Sequence, residues 1–154
     1  MPSGLLLFVL PTLAMAWQCE AARLVRVHDG DTITVRCGDG KPVKLRFANI
    51  DAPELHQAYG SAAREALVAM LGDRPLRVTS KAVDRYERVV ATVELGDRDA
   101  GLQLVADGYA WCGLRPTASC REALQGARAA RRGLWHDDDP QPPWQWRRAH
   151  PRAD

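Results

Sequence analysis

The chain has little net charge, no internal repeat, no apolar run of bilayer length and no closely spaced cysteine pair. Its 21 Lys and Arg residues nearly balance 19 Asp and Glu, and the resulting formal net charge of +2 is too small to indicate a polyanionic partner by itself. No Cys-x-x-Cys spacing occurs and the four histidines are dispersed, which argues against a zinc site. With 46% hydrophobic and 26% charged residues, the 154 residues have the composition of one globular domain with a single core.

The first nineteen residues contain no charged side chain, and residues 5–13 form an apolar run followed by Ala-Met-Ala at 14–16. The run is shorter than the about 20 residues that a helix needs to cross a bilayer. The small-x-small triplet is typical of a signal-peptide cleavage site, although no Lys or Arg precedes the run. We expect residues 1–16 to be a cleaved signal peptide, with an uncleaved anchor as the alternative. The mature protein would then be secreted or periplasmic, without stable membrane association.

Two turn signals divide the next stretch into three antiparallel strands. Asp-Gly-Asp at 29–31 lies between two β-branched runs, the strongest short-range signal of a hairpin, because glycine accepts the positive φ of a tight turn. Gly-Asp-Gly at 38–40 makes the second turn and leads into the strand at 43–47. Because the third strand returns toward the first turn, we expect Asp31 and Asp51 at the same end of the sheet.

The four cysteines, Cys19, Cys37, Cys112 and Cys120, all follow the predicted cleavage point. Export makes disulfides chemically reasonable, but four cysteines allow three pairings and the sequence alone does not choose among them. A hairpin centred on Gly30 places residue 37 opposite residue 23, near Cys19, so Cys19 to Cys37 is the first expectation. A bridge between Cys112 and Cys120 would restrain the loop between them. Four buried free thiols are the alternative.

Residues 43–54 change from a strand into a polar cluster. Apolar and basic residues alternate up to residue 47, the pattern of a half-buried strand, and Pro53 then prevents a central strand from continuing because it has no amide hydrogen. Asp51 and Glu54, directly after Arg46, combine one cation with two anions. Arg46 and Asp51 are an odd number of residues apart, so they converge only if the chain bends before Asp51.

The remaining elements complete a small barrel. Residues 76–79 and 89–93 predict two more strands, joined by a charged turn. Five strands in a three-plus-two arrangement with inserted helices indicate an α+β, mainly β, five-stranded OB-type barrel with three helices. The predicted helices are residues 59–71, with Ser61 as a cap and Gly72 as a stop, a short helix around 102–106 closed by Gly108, and residues 118–132 closed by Gly133.

The last stretch, residues 137–154, contains four prolines, two tryptophans and mixed charge without a usable period. We expect it to be irregular, with Trp144 or Trp146 as the residues that could dock on the domain. The predicted organisation is therefore a signal peptide at 1–16, one domain at 17–136 and an irregular tail.

Four motifs in order resemble those of the staphylococcal nuclease family, or thermonucleases. They are Val-His-Asp-Gly-Asp-Thr at 27–32, the Arg-x4-Asp-x-Pro-Glu spacing at 46–54, Asp-Arg-Tyr-Glu-Arg at 84–88 and the segment 101–108. The resemblance covers roughly residues 22–135. Each motif alone would be weak, but their order and separations together are specific.

The resemblance implies a five-stranded OB-fold enzyme that hydrolyses DNA and RNA with calcium. We expect single-stranded substrate to be preferred and the enzyme to be a monomer. By matching position, the resemblance implies Asp31, Asp51 and the Ala52 carbonyl as calcium ligands, Glu54 as the residue that activates or orients the attacking water, Arg46 and Arg88 as phosphate-binding residues, and Arg85 and Tyr86 as the lining of the nucleotide pocket.

Two positions depart from the family pattern. Glu87 stands where the family often has glycine, which could alter the loop or place an anion near a polyanionic substrate. A second pocket tyrosine has no clear match: Leu114 lies near its position by counting, and Tyr109 and Trp111 are the candidates to replace it. Both departures concern substrate binding more than the chemistry.

Physical reasoning supports the same chemistry. Calcium takes six to eight oxygen ligands, so two carboxylates and a carbonyl leave room for waters and a phosphate oxygen. Negative charge grows on a phosphodiester during attack, and arginine supplies planar, bidentate donors that lysine cannot. A catalytically silent OB module that binds nucleic acid and an exported calcium-stabilised structural domain are the alternative functions. Individually, Asp31 could be a turn residue and Arg46 could form only a surface salt bridge with Glu54.

Overall fold

The computed structural model describes residues 17–151, and its main feature is a closed β-barrel of five strands. The predicted signal peptide therefore lies outside the described residues. Side chains at alternate positions of these strands are fully buried and meet the apolar faces of two helices, which forms one core. The strands are β1 Gln18–Val27, β2 Thr32–Cys37, β3 Val43–Phe47, β4 Ile50–Asp51, β5 Leu76–Val83, β6 Val89–Leu95, β7 Arg98–Asp99 and β8 Trp111–Cys112.

The barrel closes because its two edge strands pair. The order β3-β2-β1-β5-β6 is antiparallel throughout, and β3 and β6 then pair in parallel, with Leu45 opposite Val89. This closure leaves no free edge between these strands. β4 and β8 form a separate two-stranded ladder that places Asp51 opposite Trp111. The predicted five-stranded barrel is confirmed.

Both disulfides suggested by the cysteine spacing are present. Cys19 is bonded to Cys37 and Cys112 to Cys120, each pair with Cα atoms 6.0 Å apart. The predicted register of the first hairpin was wrong by one residue, because Cys37 lies opposite Ala22 rather than residue 23. A bulge between residues 24 and 26 of β1 absorbs the extra residue.

The first helix, α1 Gly60–Leu71, begins one residue before the predicted cap Ser61. Tyr59 is the N-cap in a left-handed conformation with φ 65°, and its carbonyl accepts the first helical hydrogen bond. A Cβ on Gly60 would lie 2.0 Å from the Glu54 carbonyl oxygen, so only glycine allows the helix to start this close to the site. Gly72 ends the helix as predicted.

Two more predicted helices are present, α2 Ala100–Ala106 and α3 Ala118–Ala129, but α3 ends before residue 132. The chain turns at Arg131, which has φ 52°, and a 3₁₀ turn covers Gly133–His136. Gly108 and Gly133 are more than helix stops. A Cβ on either glycine would lie within 2.3 Å of a backbone oxygen on the opposite segment, so the pair lets the two segments touch.

The prediction of an irregular tail was wrong for residues 143–149, which form a fourth helix, α4 Pro143–Ala149. Pro143 occupies the first turn of the helix, where its missing N–H costs nothing. Trp144 packs edge-on against Trp111 with ring centroids 6.3 Å apart, and the Gln57 side chain donates to the Gln141 carbonyl. Tertiary contacts rather than a helical apolar pattern therefore hold this segment. Across residues 17–151, no helix has the length and apolarity needed to span a membrane.

Candidate active site

The chain bends between β3 and β4, which brings Arg46 and Asp51 to the same side. Asn49 is in the left-handed region with φ 65°. The Arg46 guanidinium donates to the carbonyls of Phe47 and Ile50, each at 2.9 Å, and so holds the bend from inside. The bend that the odd spacing required is thus present.

Arg46 joins the two aspartates predicted to bind metal. Its Nη1 lies 3.2 Å from Oδ2 of Asp31 and its Nη2 lies 3.0 Å from Oδ1 of Asp51. Asp31 also accepts hydrogen bonds from the Ala52 amide at 2.7 Å and from the Thr32 hydroxyl at 3.1 Å. Burial raises the pKa of Asp31 to about 7, against the opposing effects of Arg46 and the Ala52 amide. The hairpin end and the bend therefore meet in one charged cluster.

Glu54 follows this cluster on a tightly held turn. Pro53 is among the fully buried residues, and the Glu54 amide and carbonyl both bond to Gln57, at 3.1 Å and 2.8 Å. The Gln57 side chain is buried and reaches the segment before α4 through Gln141. This backbone clamp keeps the Glu54 carboxylate beside Asp51, with about a quarter of its side chain exposed.

Asp84 organises the loop that carries the other predicted phosphate-binding arginine. Its Oδ1 accepts from the amides of Tyr86 and Arg88 at 2.8 Å and 3.0 Å, and its Oδ2 accepts from Nε of Arg88 at 2.7 Å. Desolvation alone would raise the pKa of Asp84, but the hydrogen bonds from Arg88 and Tyr86 outweigh it and lower that pKa. Sequence reasoning assigned Asp84 no role, although its place at the start of the charged turn marks it as a turn residue.

The same loop explains the departure at residue 87. Glu87 has φ 60°, a conformation that glycine adopts without steric cost. The guanidinium carbons of Arg85 and Arg88 lie 4.9 Å and 5.4 Å from the centroid of the Tyr86 ring, within cation–π range. The loop thus keeps the backbone shape that glycine would favour and presents an aromatic face between two arginines.

All the predicted site residues except Ala52 line one cleft with a volume of about 1100 Å³. Ala52 is buried and does not line the cleft, and its amide donates to Asp31. Residues of the β1–β2 hairpin, β3, the loop after β5 and α4 line the cleft. From the sequence prediction it contains Asp31, Arg46, Asp51, Glu54, Arg85, Tyr86 and Arg88.

The second aromatic wall of the cleft comes from α4 and not from the segment around residue 109. Leu114 projects fully into solvent and Trp111 is buried, and neither lines the cleft. Trp144, 41% exposed, and Trp146 do line it, as does the exposed ring of Tyr86. No sequence signal placed these tryptophans at the site, because their approach depends on contacts far apart in the chain.

Arg147 is the functional-site residue that sequence reasoning missed. Its guanidinium lies 3.1 Å and 2.8 Å from the two carboxylate oxygens of Asp51 and 2.9 Å from Oε1 of Glu54. These hydrogen bonds, first those to Asp51, raise the pKa of Arg147 above its ordinary value. The Arg-Arg pair at 147–148 is visible in the sequence, but nothing in its pattern relates it to residues some 95 positions earlier.

The two aspartates paired with Arg46 fit a hard cation that keeps several non-protein ligands. Within residues 17–151, no group of three or more His, Cys, Asp or Glu side chains is arranged to hold a metal ion. Asp31 and Asp51 nevertheless offer only oxygen atoms, and two guanidinium groups already sit on them as cations. Oxygen donors of this kind suit calcium, with water and substrate completing its coordination.

A family model and several known proteins match this chain. A family model described as staphylococcal nuclease homologue matches residues 44–137, which include β3, the bend and the Asp84 loop and end before α4. The chain is 38% identical over 151 residues to the micrococcal nuclease of Shigella flexneri, covering 90% of this chain and 86% of that protein. It is 39% identical over 155 residues to Protein ParB of Escherichia coli, with 92% and 87% covered. A protein of Haemophilus influenzae described as an uncharacterized endonuclease is 34% identical over 148 residues, with 95% and 83% covered.

Proposed function

The chain belongs to the staphylococcal nuclease family and is a nuclease, with the OB-fold that the family implies, and we propose that it is an exported, calcium-dependent endonuclease that hydrolyses phosphodiester bonds of DNA and RNA. The observation that carries the chemistry is that Asp31 and Asp51 both pair with Arg46 in a cleft that Glu54 also lines. A cluster of three carboxylates and fixed arginines suits attack of water on a phosphate.

Asp31, Asp51 and the Ala52 carbonyl would hold calcium, which would neutralise charge on the phosphate oxygens. Asp31 is suited to this role because the Ala52 amide and Thr32 hydroxyl fix its carboxylate. Burial raises its pKa because the charged form is poorly solvated, and a divalent cation bound there would stabilise that charged form.

Glu54 is the proposed base. Its carboxylate would accept a proton from water as the water oxygen attacks phosphorus, and the bond from phosphorus to the leaving oxygen would then break. The backbone clamp through Gln57 keeps this carboxylate in place during the reaction. Efficient proton transfer needs such a fixed position within hydrogen-bond reach of the water.

Arg46 and Arg88 are the proposed phosphate-binding residues. Asp84 binds Nε of Arg88, so the terminal nitrogens are the part of the guanidinium turned to other partners. Both arginines line the cleft with Glu54. Fixed, planar cations stabilise the charge that develops on the phosphate oxygens more than the charge of the ground state.

The aromatic walls support single-stranded nucleic acid as the preferred substrate. Tyr86 is 53% exposed and Trp144 is 41% exposed, and both line the cleft, with Arg85 over the tyrosine ring. Unpaired bases can stack on such rings, whereas bases in a duplex are already stacked. Competition between single-stranded and duplex DNA of the same sequence tests this preference.

Two disulfides among the described residues support export, because such bonds persist in oxidising compartments. We include cleavage after residue 16 and a monomeric mature enzyme in the proposal. Amino-terminal sequencing of the exported protein tests the cleavage point, and light scattering on a sizing column tests the monomer.

The test of the proposed base is Glu54→Gln. The amide keeps the side chain's size and an oxygen for Arg147 but has no basic oxygen, so turnover should fall about 10²- to 10⁴-fold. Binding of calcium and of single-stranded DNA should change little. Glu65→Gln, on the exposed side of α1, is the matched control. Turnover of Glu54→Gln above about a tenth of the wild-type value would exclude Glu54 as the base.

A further inference from the structure

Arg147 places a positive charge on the two carboxylates at the centre of the proposed reaction. Both oxygens of Asp51 accept from its guanidinium, at 3.1 Å and 2.8 Å, and Oε1 of Glu54 accepts at 2.9 Å. Oδ1 of Asp51 also accepts from Arg46. A bidentate pair of this kind is among the stronger side-chain interactions because it is charge-assisted and has matched geometry.

The helix that carries Arg147 is docked, so the contact is part of the fold. Pro143 is buried, the Trp144 ring packs on Trp111, and Gln141, just before the helix, accepts a hydrogen bond of 2.6 Å from Gln57. Gln57 is also the residue that clamps the Glu54 backbone. The position of α4 and that of Glu54 are therefore fixed by one shared residue.

We propose that Arg147 competes with calcium for Asp51 and thereby weakens calcium binding to the cleft. This inference rests on the proposed function, because it takes Asp51 as a calcium ligand. Arg147 occupies one lone pair on each oxygen of Asp51 and Arg46 occupies a second one on Oδ1, which leaves calcium a single lone pair on Oδ2. Two cations so close also repel each other, so calcium binds well only after the guanidinium has moved away. Calcium must therefore displace Arg147, and the cost of breaking the pair is subtracted from the binding free energy.

The calcium concentration at which the cleft becomes occupied would therefore depend on Arg147, a residue outside the family-matched segment 44–137. Arg147 is 42% exposed, so solvent screens the pair and its effect is moderate. We expect removal of the guanidinium to tighten calcium binding about 3- to 10-fold, the range for a partly screened, bidentate ion pair.

The test is calorimetric titration of calcium into the whole mature protein without nucleic acid. Arg147→Ala should bind calcium about 3- to 10-fold more tightly than wild type, and Arg147→Lys should lie between them because it keeps the charge and loses the fork. Arg148→Ala is the matched control: it removes the same charge from the next position of α4, also in the cleft, and Arg148 forms no ion pair within residues 17–151. It should change the calcium affinity less than twofold. Thermal melts of all variants check that they are folded.

Each of the following results would overturn the inference. Equal calcium affinity of wild type and Arg147→Ala shows no competition, and an equal gain in Arg148→Ala shows only a general charge effect. Weaker calcium binding by Arg147→Ala shows that the arginine positions Asp51 for the ion. A higher KM for single-stranded DNA with unchanged calcium affinity would make Arg147 a substrate-binding residue instead. If neither wild type nor Arg147→Ala binds calcium, the calcium site of the proposed function itself fails.

Discussion

The two disulfides should contribute unequally to stability and also to activity. Cys19 and Cys37 close a loop with a sequence separation of 18, and Cys112 and Cys120 close one of 8. The loop-entropy relation gives about 3.2 kcal/mol for the longer loop and about 2.5 kcal/mol for the shorter one at 25 °C. Replacing each pair by alanines should lower the free energy of unfolding by about these amounts, with a small further loss at the buried Cys19 and Cys120 side chains.

Their effects on activity should be in the opposite order. Cys112 pairs with Ile50 in the short ladder that also contains Asp51, whereas the other disulfide links β1 to the far end of β2, away from the Asp31 end. The Cys112→Ala, Cys120→Ala variant should therefore lose more turnover than the Cys19→Ala, Cys37→Ala variant, measured at a temperature where both are fully folded.

Urea unfolding followed by tryptophan fluorescence gives the stabilities, and hydrolysis of single-stranded DNA in saturating calcium gives the turnover. Reducing the wild-type protein should reproduce the sum of both stability losses. A loss below about 1 kcal/mol for the longer loop, or a larger loss for the shorter one, would refute the loop-entropy reasoning. Equal turnover in the two variants would refute the link between the β4–β8 ladder and the site.

Three further substitutions test individual contacts in the cleft. Asp51→Ala removes a proposed ligand and should raise the calcium concentration needed for half-maximal rate, with a smaller effect on DNA binding in saturating calcium. An unchanged calcium dependence of the rate would exclude Asp51 as a ligand. Trp144→Ala should raise KM for single-stranded DNA about 5-fold or more with little change in kcat, because one base would lose its stacking partner. An unchanged KM would show that α4 does not contact the substrate. Asp84→Asn should lower Tm at neutral pH. Because the pKa of Asp84 is lowered in the folded protein, its stabilisation is present above the unfolded pKa of about 3.9 and is lost as pH falls through the folded value, so the difference in Tm should shrink below about pH 4. A difference that stays constant from pH 7 to pH 2 would contradict this.

The parts of the site that sequence reasoning placed correctly depend on short-range rules. The Asp-Gly hairpin and the return of β3 bring Asp31 toward Asp51, and the odd spacing from Arg46 requires the bend that Asn49 provides. The position of a hairpin and the two-residue period of a strand depend on few residues, so they can be read from one sequence. The positive φ expected at Gly30 was wrong: this residue is not in the left-handed region, and a Cβ there would lie 2.8 Å from the Cβ atoms of Ala52 and Ala63, so close packing requires the glycine.

The parts that it missed depend on contacts between distant segments. α4 has seven residues and no clear apolar stripe, and its place is determined by Trp111 and Gln57. The bulge in β1 and the early start of α1 at Gly60 likewise follow from packing against neighbouring backbone. A single sequence contains no periodic signal for such contacts, so the role of Arg147 could be found only from the fold.

The most direct test of the central claim is the rate of single-stranded DNA hydrolysis by purified mature protein after chelation, followed by addition of a single metal. We expect no measurable hydrolysis in excess chelator, full recovery with calcium, and poor recovery with magnesium or zinc. The proposed protein ligands, Asp31, Asp51 and the Ala52 carbonyl, are all oxygen atoms in turns, which suit the flexible coordination of calcium better than the strict octahedron of magnesium or the nitrogen and sulfur ligands of zinc. Equal rates with chelator and with calcium would contradict it.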